Sequence, residues 1–448
     1  MFKKIVIANR GEVALRIQHA ASELGIKTVA LYSSADSNLM HVKLADEAIC
    51  IGNAPVIDSY LNSAAILTAA KNTKADAIHP GYGFFAEKAT FARQVASEGL
   101  IFVGPDPETI AVMRNKVAAI NLMQQFGLSC IPGSNAVLTD DAQFNLQLAK
   151  DLGYPVVIKA AFGGGGRAVH IVHTESNLLR LIELTQQEAK STFGSADVYM
   201  EKYLHDVRHI EVQIFGDKYG NVVHFGDRDC STQRWNKKII EEALAPGITT
   251  AQREQICNQC VAMAKKINYR GAGTFEFLYK DGNFHFIEMN TRIQVGHTVT
   301  EMITELDLVK DQIKIAAGEP LSYQQSDIVF NGHAIQCRIY AEDPRSFVPS
   351  YGKINAYYAP GGPGVRVDSH IYDGYVIPSN YDTLIAKIIV HGDTREHAIN
   401  RMSSALEELV IKGVTTNKTI HQAILNDADF KAGNFLTNYL EKRLGPKR

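Results

Sequence analysis

The strongest constraint on the fold lies in the first 103 residues, where short apolar runs alternate with amphipathic helical stretches. Residues 4–8, 28–32, 48–51, 75–79 and 100–103 read as strands. Between 12 and 24, Ala14, Ile17, Ala21 and Leu24 share one helical face, and Gly25 follows as a stop. Strand–helix–strand repeats of this kind bury both faces of a mostly parallel, doubly wound sheet. No GxGxxG follows the first strand, so a dinucleotide site is not supported.

After about residue 130 the period changes. Residues 155–160 and 168–172 read as strands flanking four glycines, and 198–202, 209–215 and 222–226 read as antiparallel strands separated by turns. Residues 250–268 read as a helix, 273–279 and 283–290 as a hairpin around Asp281-Gly282, and 395–409 as a late helix. A chain of 448 residues, 46% hydrophobic and 21% charged, is long enough for two or three domains and excludes a disordered, collagen-like or disulfide-stapled protein. A net charge of -2 gives no broad electrostatic reason to expect nucleic acid. No run approaches the ~20 apolar residues that span a bilayer. The apolar run after Lys3 and Lys4 is broken by Asn9 and Arg10, too early for a signal peptide. The six cysteines are scattered, as in a cytosolic protein with reduced thiols; Cys257 and Cys260 have CxxC spacing but read as two thiols near one helix face.

Two segments carry chemistry. Phe162-Gly-Gly-Gly-Gly-Arg167 lacks the GK[ST] and helix of a Walker A loop. Its glycines allow backbone N–H groups close to phosphate oxygens, with Lys159 adding charge, but a plain hairpin tip fits the residues as well. In the 273–290 hairpin, a three-residue turn sets Glu276 opposite Glu288, whereas a two-residue turn puts them on opposite faces. Facing carboxylates repel unless a cation lies between them, and such pairs with substrate phosphates hold Mg²⁺. Asn290, Arg292 and Gln294 alternate with apolar residues, which reads either as a strand with one functional polar face or as a half-exposed strand with a wet one. Together the lysines, the glycine flap and the carboxylate pair point to ATP, and Arg292 to an anionic co-substrate held by its planar fork.

With these motifs in place, the chain resembles biotin carboxylase, the ATP-grasp component of biotin-dependent carboxylases such as acetyl-CoA carboxylase. The resemblance runs along essentially the whole chain: HPGYGF at 79–84, GGGGR at 163–167, YMEKYL at 199–204, RHIEVQ at 208–213, RDCSTQR at 228–234, EEALAPG at 241–247, GAGTFEF at 271–277, FIEMNTRIQV at 286–295 and AEDP at 341–344. It implies an α/β and α+β ATP-grasp fold. The expected division is an N-terminal doubly wound α/β domain (1–115), linker helices and a mobile glycine-loop lid (116–203), and a larger C-terminal mixed domain (204–448). It implies ATP- and bicarbonate-dependent carboxylation of biotin on a carrier protein, through carboxyphosphate. By resemblance, Lys116, Lys159 and Gly163, Gly164, Gly165 and Gly166 attend the ATP phosphates. Glu201, Lys202 and Leu204 line the adenine pocket, with His209 and Gln233 along the nucleotide. Glu276, Glu288 and Asn290 hold Mg²⁺ or Mn²⁺. Lys238, Arg292, Gln294 and Val295 surround bicarbonate, and Arg338 steadies the biotin enolate. A biotin carboxyl carrier protein and carboxyltransferase subunits are the implied partners of a cytoplasmic homodimer that meets neither nucleic acid nor membrane.

The departures from the family pattern cluster. The family reads VEHPVTE where this chain has VGHTVTE at 295–301, so Gly296 replaces the proposed general base. General acid–base help is worth about 10²- to 10⁴-fold in rate. His297 adjoins it, but neighbours on an extended strand point to opposite faces. Trp235, Asn236 and Lys237 also depart, as do Phe162, Ala168 and Lys88; Phe162 and Ala168 replace flexible glycines and are expected to stiffen the flap. Three readings remain at this level: a biotin carboxylase with a relocated or dispensable base, an ATP-binding paralogue acting as regulator or assembly partner, and an ATP-grasp ligase for another acceptor.

Overall fold

The structure, a computed structural model, describes residues 1–164 and 166–444. The N-terminal alternation forms a five-stranded parallel sheet in the order Glu47–Cys50, Lys27–Tyr32, Lys4–Ile7, Ala77–His79, Ile101–Phe102. The first strand lies in the centre and the order reverses around it, as a doubly wound sheet requires. Helix Gly11–Glu23 buries Val13, Ala14, Ile17, Ala20 and Ala21 against one face. Tyr60, Ile66, Phe91 and Val95 belong to the core on the other.

The glycine segment is the tip of an antiparallel hairpin, Val156–Ala160 with Val169–Val172, in a three-stranded sheet completed by Val198–Lys202. Helices Ala142–Leu152 and Leu178–Phe193 cover this sheet through Ala149, Leu178, Ile182 and Ala189.

The remaining strands form one eight-stranded sheet: Asn283–Asn290, Gly271–Lys280, Arg208–Gly216, Val222–Asp229, Ile240–Ala243, His333–Tyr340, Leu384–Gly392, Val365–Ser369. Every neighbour pair is antiparallel. The strand expected to stop at Gly226 continues to Asp229. Gly226 instead takes a left-handed φ of 72° where the register shifts between His224 and Asp227. Helix Thr250–Lys266, started by a Thr249–Gln252 capping box, packs Ile256, Cys257, Cys260, Met263 and Ala264 onto this sheet. Cys257 and Cys260 are core residues whose thiol pKa values burial pushes up, consistent with inert packing.

Two expectations about the key hairpin need correction. Lys280 pairs with Asn283, so the turn has two residues, Asp281 and Gly282, both with positive φ, not three. Glu276 nevertheless pairs with Glu288, because the register shifts by one between Glu276 and Phe277: Phe277 pairs with Phe286, and Ile287 is the extra residue of a bulge. The polar strand also ends at Asn290. Arg292, Gln294 and Val295 lie in irregular chain, and Gly296 is the N-cap of helix His297–Thr304.

Candidate active site

Cross-strand registry lines up charge along one row of the large sheet. Glu288 pairs with Glu276, Glu276 with Glu211, and Glu211 with Arg228. Three carboxylates in adjacent strands would repel, and the chain supplies cations to offset them. Lys116 contacts Glu288, Lys238 contacts Glu211 and lies 3.1 Å from Glu276, and His209 Nε2 lies 2.6 Å from Glu276. The Arg228 guanidinium, fully buried, donates to Glu211 at 2.9 and 3.1 Å. Asn290 and Gln294 donate to the other Glu276 oxygen, the latter at 2.7 Å.

These partners set the titration. Burial alone would raise the carboxyl of Glu276, but Lys238 and His209 hold it well below the usual range. Burial likewise would raise Glu211, but Lys238, helped by Arg228, holds it below the usual range. Burial and nearby Lys159 bring Lys116 down to about 8. Burial would lower Lys238 too, yet Glu211 and Glu276 raise it. Each lysine thus sits beside carboxylates whose charge it offsets.

Glu276, Glu288 and Asn290 offer hard oxygen donors suited to Mg²⁺ or Mn²⁺. His209, Glu211 and Glu276 also present ligand atoms within 4.8 Å of one another. Glu211 was absent from the residues expected by sequence. Its signal was there: in RHIEVQ, His209, Glu211 and Gln213 alternate onto one face.

A second group of the expected residues gathers around the glycine hairpin. Lys159 Nζ lies 2.5 Å from Glu201, whose second oxygen is buried without a hydrogen-bond partner. Lys202 turns its amine to the carbonyl of Gly153 at 2.6 Å, so its side chain points away from Glu201 and Lys159. Leu204 lies in the irregular chain just beyond that strand. Gln233 donates to His209 Nδ1 at 3.0 Å. Gly163, at φ 119°, leaves room for the Phe193 ring, which a Cβ would meet at 2.6 Å. Gly164 has open space around its Cα, and Gly165 lies outside the described residues. Gly166 rests on Asn236, 2.8 Å from the position of a Cβ, so the lid tip sits on the Trp235-Asn236 turn. That turn closes a hairpin with both residues at positive φ. Trp235 meets Phe347 edge-on, and Arg234 pairs with Glu342 at 2.6 Å. Ala168 holds φ 53°, a conformation glycine adopts without cost, so the flap carries strain where it was expected to be stiff.

Arg292 donates to Asn290 at 2.8 Å and pairs with Glu87 of the N-terminal region at 3.0 Å. Val295, three residues further on, is half-buried. Arg338 is buried and held by Glu241. His297 is no substitute base. It begins a helix rather than continuing a strand, is fully buried, donates Nδ1–H to the Gln294 carbonyl at 2.6 Å, and sits near Lys387, Arg16 and Arg366. Burial and those cations depress its pKa well below normal.

A glycine-tipped hairpin sheet beside a larger sheet bearing lysines and a carboxylate row is the arrangement of an ATP-grasp enzyme. Comparisons with known proteins agree along the whole chain. Family models described as the biotin carboxylase N-terminal domain, the carbamoyl-phosphate synthase L chain ATP-binding domain and the biotin carboxylase C-terminal domain match residues 1–110, 115–324 and 336–442. Biotin carboxylases of Allochromatium vinosum and Haemophilus influenzae are each 55% identical, over 99% of this chain and 99% of theirs. The biotin carboxylase domain dimer of Hydrogenobacter thermophilus 2-oxoglutarate carboxylase, solved with MgADP, ADP and bicarbonate, superposes with a TM-score of 0.97 at 49% identity, covering 99% of this chain and 98% of that one. The Campylobacter jejuni biotin carboxylase–β-γ-ATP complex gives 0.97 at 45%, covering 99% of each.

The chain belongs to the biotin carboxylase family. It is an ATP-dependent ligase with the ATP-grasp fold.

Proposed function

We propose that this chain carboxylates carrier-linked biotin using ATP and bicarbonate, with the residues above in the following roles. The observation that carries the reading is the Glu288–Glu276–Glu211 row, offset by Lys116, Lys238 and Arg228 and joined to Arg292 through Asn290. Lys116 and Lys159 hold the ATP phosphates, and the lid N–H groups close over them. Glu201 and Leu204 line the adenine pocket, and Lys202 fixes the strand that carries them. Glu276, Glu288 and Asn290 hold Mg²⁺ or Mn²⁺, which when bound offsets charge on the phosphates during transfer. Arg292, Lys238, Gln294 and Val295 surround bicarbonate so that its oxygen lines up with the γ-phosphorus. Positive groups set in advance stabilise the charge that develops in transfer. The C–O bond of carboxyphosphate breaks to give carbon dioxide and phosphate, the phosphate takes the biotin N1 proton, and Arg338 stabilises the enolate so formed while N1 bonds to the carbon dioxide.

The protein works as a homodimer, the assembly of the H. thermophilus relative. Its biotin comes on a biotin carboxyl carrier protein, and carboxyltransferase subunits complete the reaction in the cytoplasm. Among the described residues no helix is long and apolar enough to cross a membrane.

The test is ADP release by the purified chain. It is expected to require bicarbonate and biotin together and to vanish in Glu288→Ala. ADP release indifferent to both substrates contradicts the reading.

A further inference from the structure

The family's proposed base is absent at Gly296, and the backbone does not demand that absence. Gly296 has φ -78° and ψ 3°, open to any residue. What lies against its bare Cα is another carboxylate. A Cβ built at 296 would stand 3.2 Å from Oε1, 3.3 Å from Cγ and 3.4 Å from Cδ of Glu241.

Glu241 comes from strand Ile240–Ala243 and is fully buried. Its Oε1 accepts from Arg338 Nε at 2.8 Å and again from the Arg338 Nη2 group. Its Oε2 accepts from Gln336 Nε2 at 2.8 Å, the cross-strand partner of Glu241. The titratable groups that feel its charge are Arg338, Cys230, Cys337, Tyr340 and His421. Burial pushes both thiols up and brings His421 down to about 4. Burial also raises the Tyr340 phenol. Arg338 is therefore the charged group among them at neutral pH.

We propose that Glu241 accepts the bicarbonate proton in place of the missing side chain at 296. This rests on the reading above. Glu241 Oε1 stands 3.2 Å from where a Cβ at 296 would be, so its carboxylate lies against the residue that follows Gln294 and Val295, which border bicarbonate in that reading. Two anions held side by side favour a proton between them. The bicarbonate O–H proton passes to Glu241, and its bonding pair stays on oxygen. That oxygen forms the new bond to the γ-phosphorus while the bond from phosphorus to the ADP oxygen breaks. The products are carboxyphosphate, ADP and protonated Glu241, and the proton departs with phosphate when carboxyphosphate decomposes.

The test separates proton acceptance from site-building. Glu241→Gln keeps the shape and an oxygen for Arg338 but cannot take the proton. In the full-length chain we expect bicarbonate-dependent ADP release to fall at least ~100-fold. Phosphoryl transfer from carbamoyl phosphate to ADP runs through a carboxyphosphate-like donor and needs no bicarbonate deprotonation, so it should fall at least ~10-fold less than the bicarbonate-dependent reaction. Glu241→Asp, which keeps a carboxylate, serves if the glutamine form does not fold, with the same split at smaller size. Loss of both reactions together, or of neither, overturns the proposal. Inactivity of the unaltered chain in both assays would instead overturn the carboxylase reading.

Discussion

The two ends of the site solve the same problem differently. Along the Glu288–Glu276–Glu211 row, proposed above to serve metal and phosphates, each carboxylate has a cation from the chain beside it. At the proton-accepting end, position 296 carries no side chain, and the nearest carboxylate comes from a different strand and is already held by Arg338. The first end is fixed by strand registry, which tolerates little change. The second sets a strand glutamate against the N-cap of a helix, where a group lost from one element can be replaced from the other.

The largest predicted effect breaks the registered end. Glu276→Gln removes the carboxylate shared by His209, Lys238, Asn290 and Gln294, and should cut Mg²⁺-dependent ADP release at least ~100-fold in a steady-state assay.

The adjacent glutamate on the Glu241 strand provides a structural contrast. Glu242 points to the other face, where it accepts from His333 at 2.8 Å and Arg395 at 2.7 Å. Burial would raise its pKa, but these two groups bring it down to about 2. A lowered carboxylate pKa stabilises the fold above the unfolded value near 4.5, and the gain is lost as pH falls toward 2. Glu242→Gln should cost about 3 kcal/mol in denaturant unfolding at pH 7, a gap shrinking to roughly half by pH 3, with little change in catalysis.

A smaller effect tests the turn that sets the registry. Gly282→Val forces a branched residue to φ 84° and should destabilise the chain by ~1–2 kcal/mol in the same measurement. The smallest lies outside the site. Lys88 occupies the N-cap of helix Ala89–Ser97 without a side-chain cap, so Lys88→Asn should add about 1 kcal/mol, read as a raised Tm.

Much of this was legible in the sequence, and the misses have physical causes. The parallel sheet followed from alternating apolar runs, and strands Val198–Lys202 and Asn283–Asn290 were bounded by the residues that pack or turn there. The pairing of Glu276 with Glu288 was legible, but not its route: a two-residue turn and a bulge at Ile287 cancel, and no local pattern distinguishes that from a three-residue turn. Arg292 and Gln294 alternated like strand residues, yet the chain leaves the sheet at Asn290 and enters a helix at His297. Glu211 was readable from its alternation with His209 but needed the neighbouring strand to reveal its partner. Glu241 was not readable as a neighbour of Gly296, because that contact joins segments 55 residues apart.

The most direct test of the account follows oxygen. Purified chain turning over ATP and biotin with ¹⁸O-labelled bicarbonate should release inorganic phosphate carrying one bicarbonate oxygen for each ADP formed. Phosphate without that label would mean that water, not bicarbonate, attacks the γ-phosphorus, and would contradict the account.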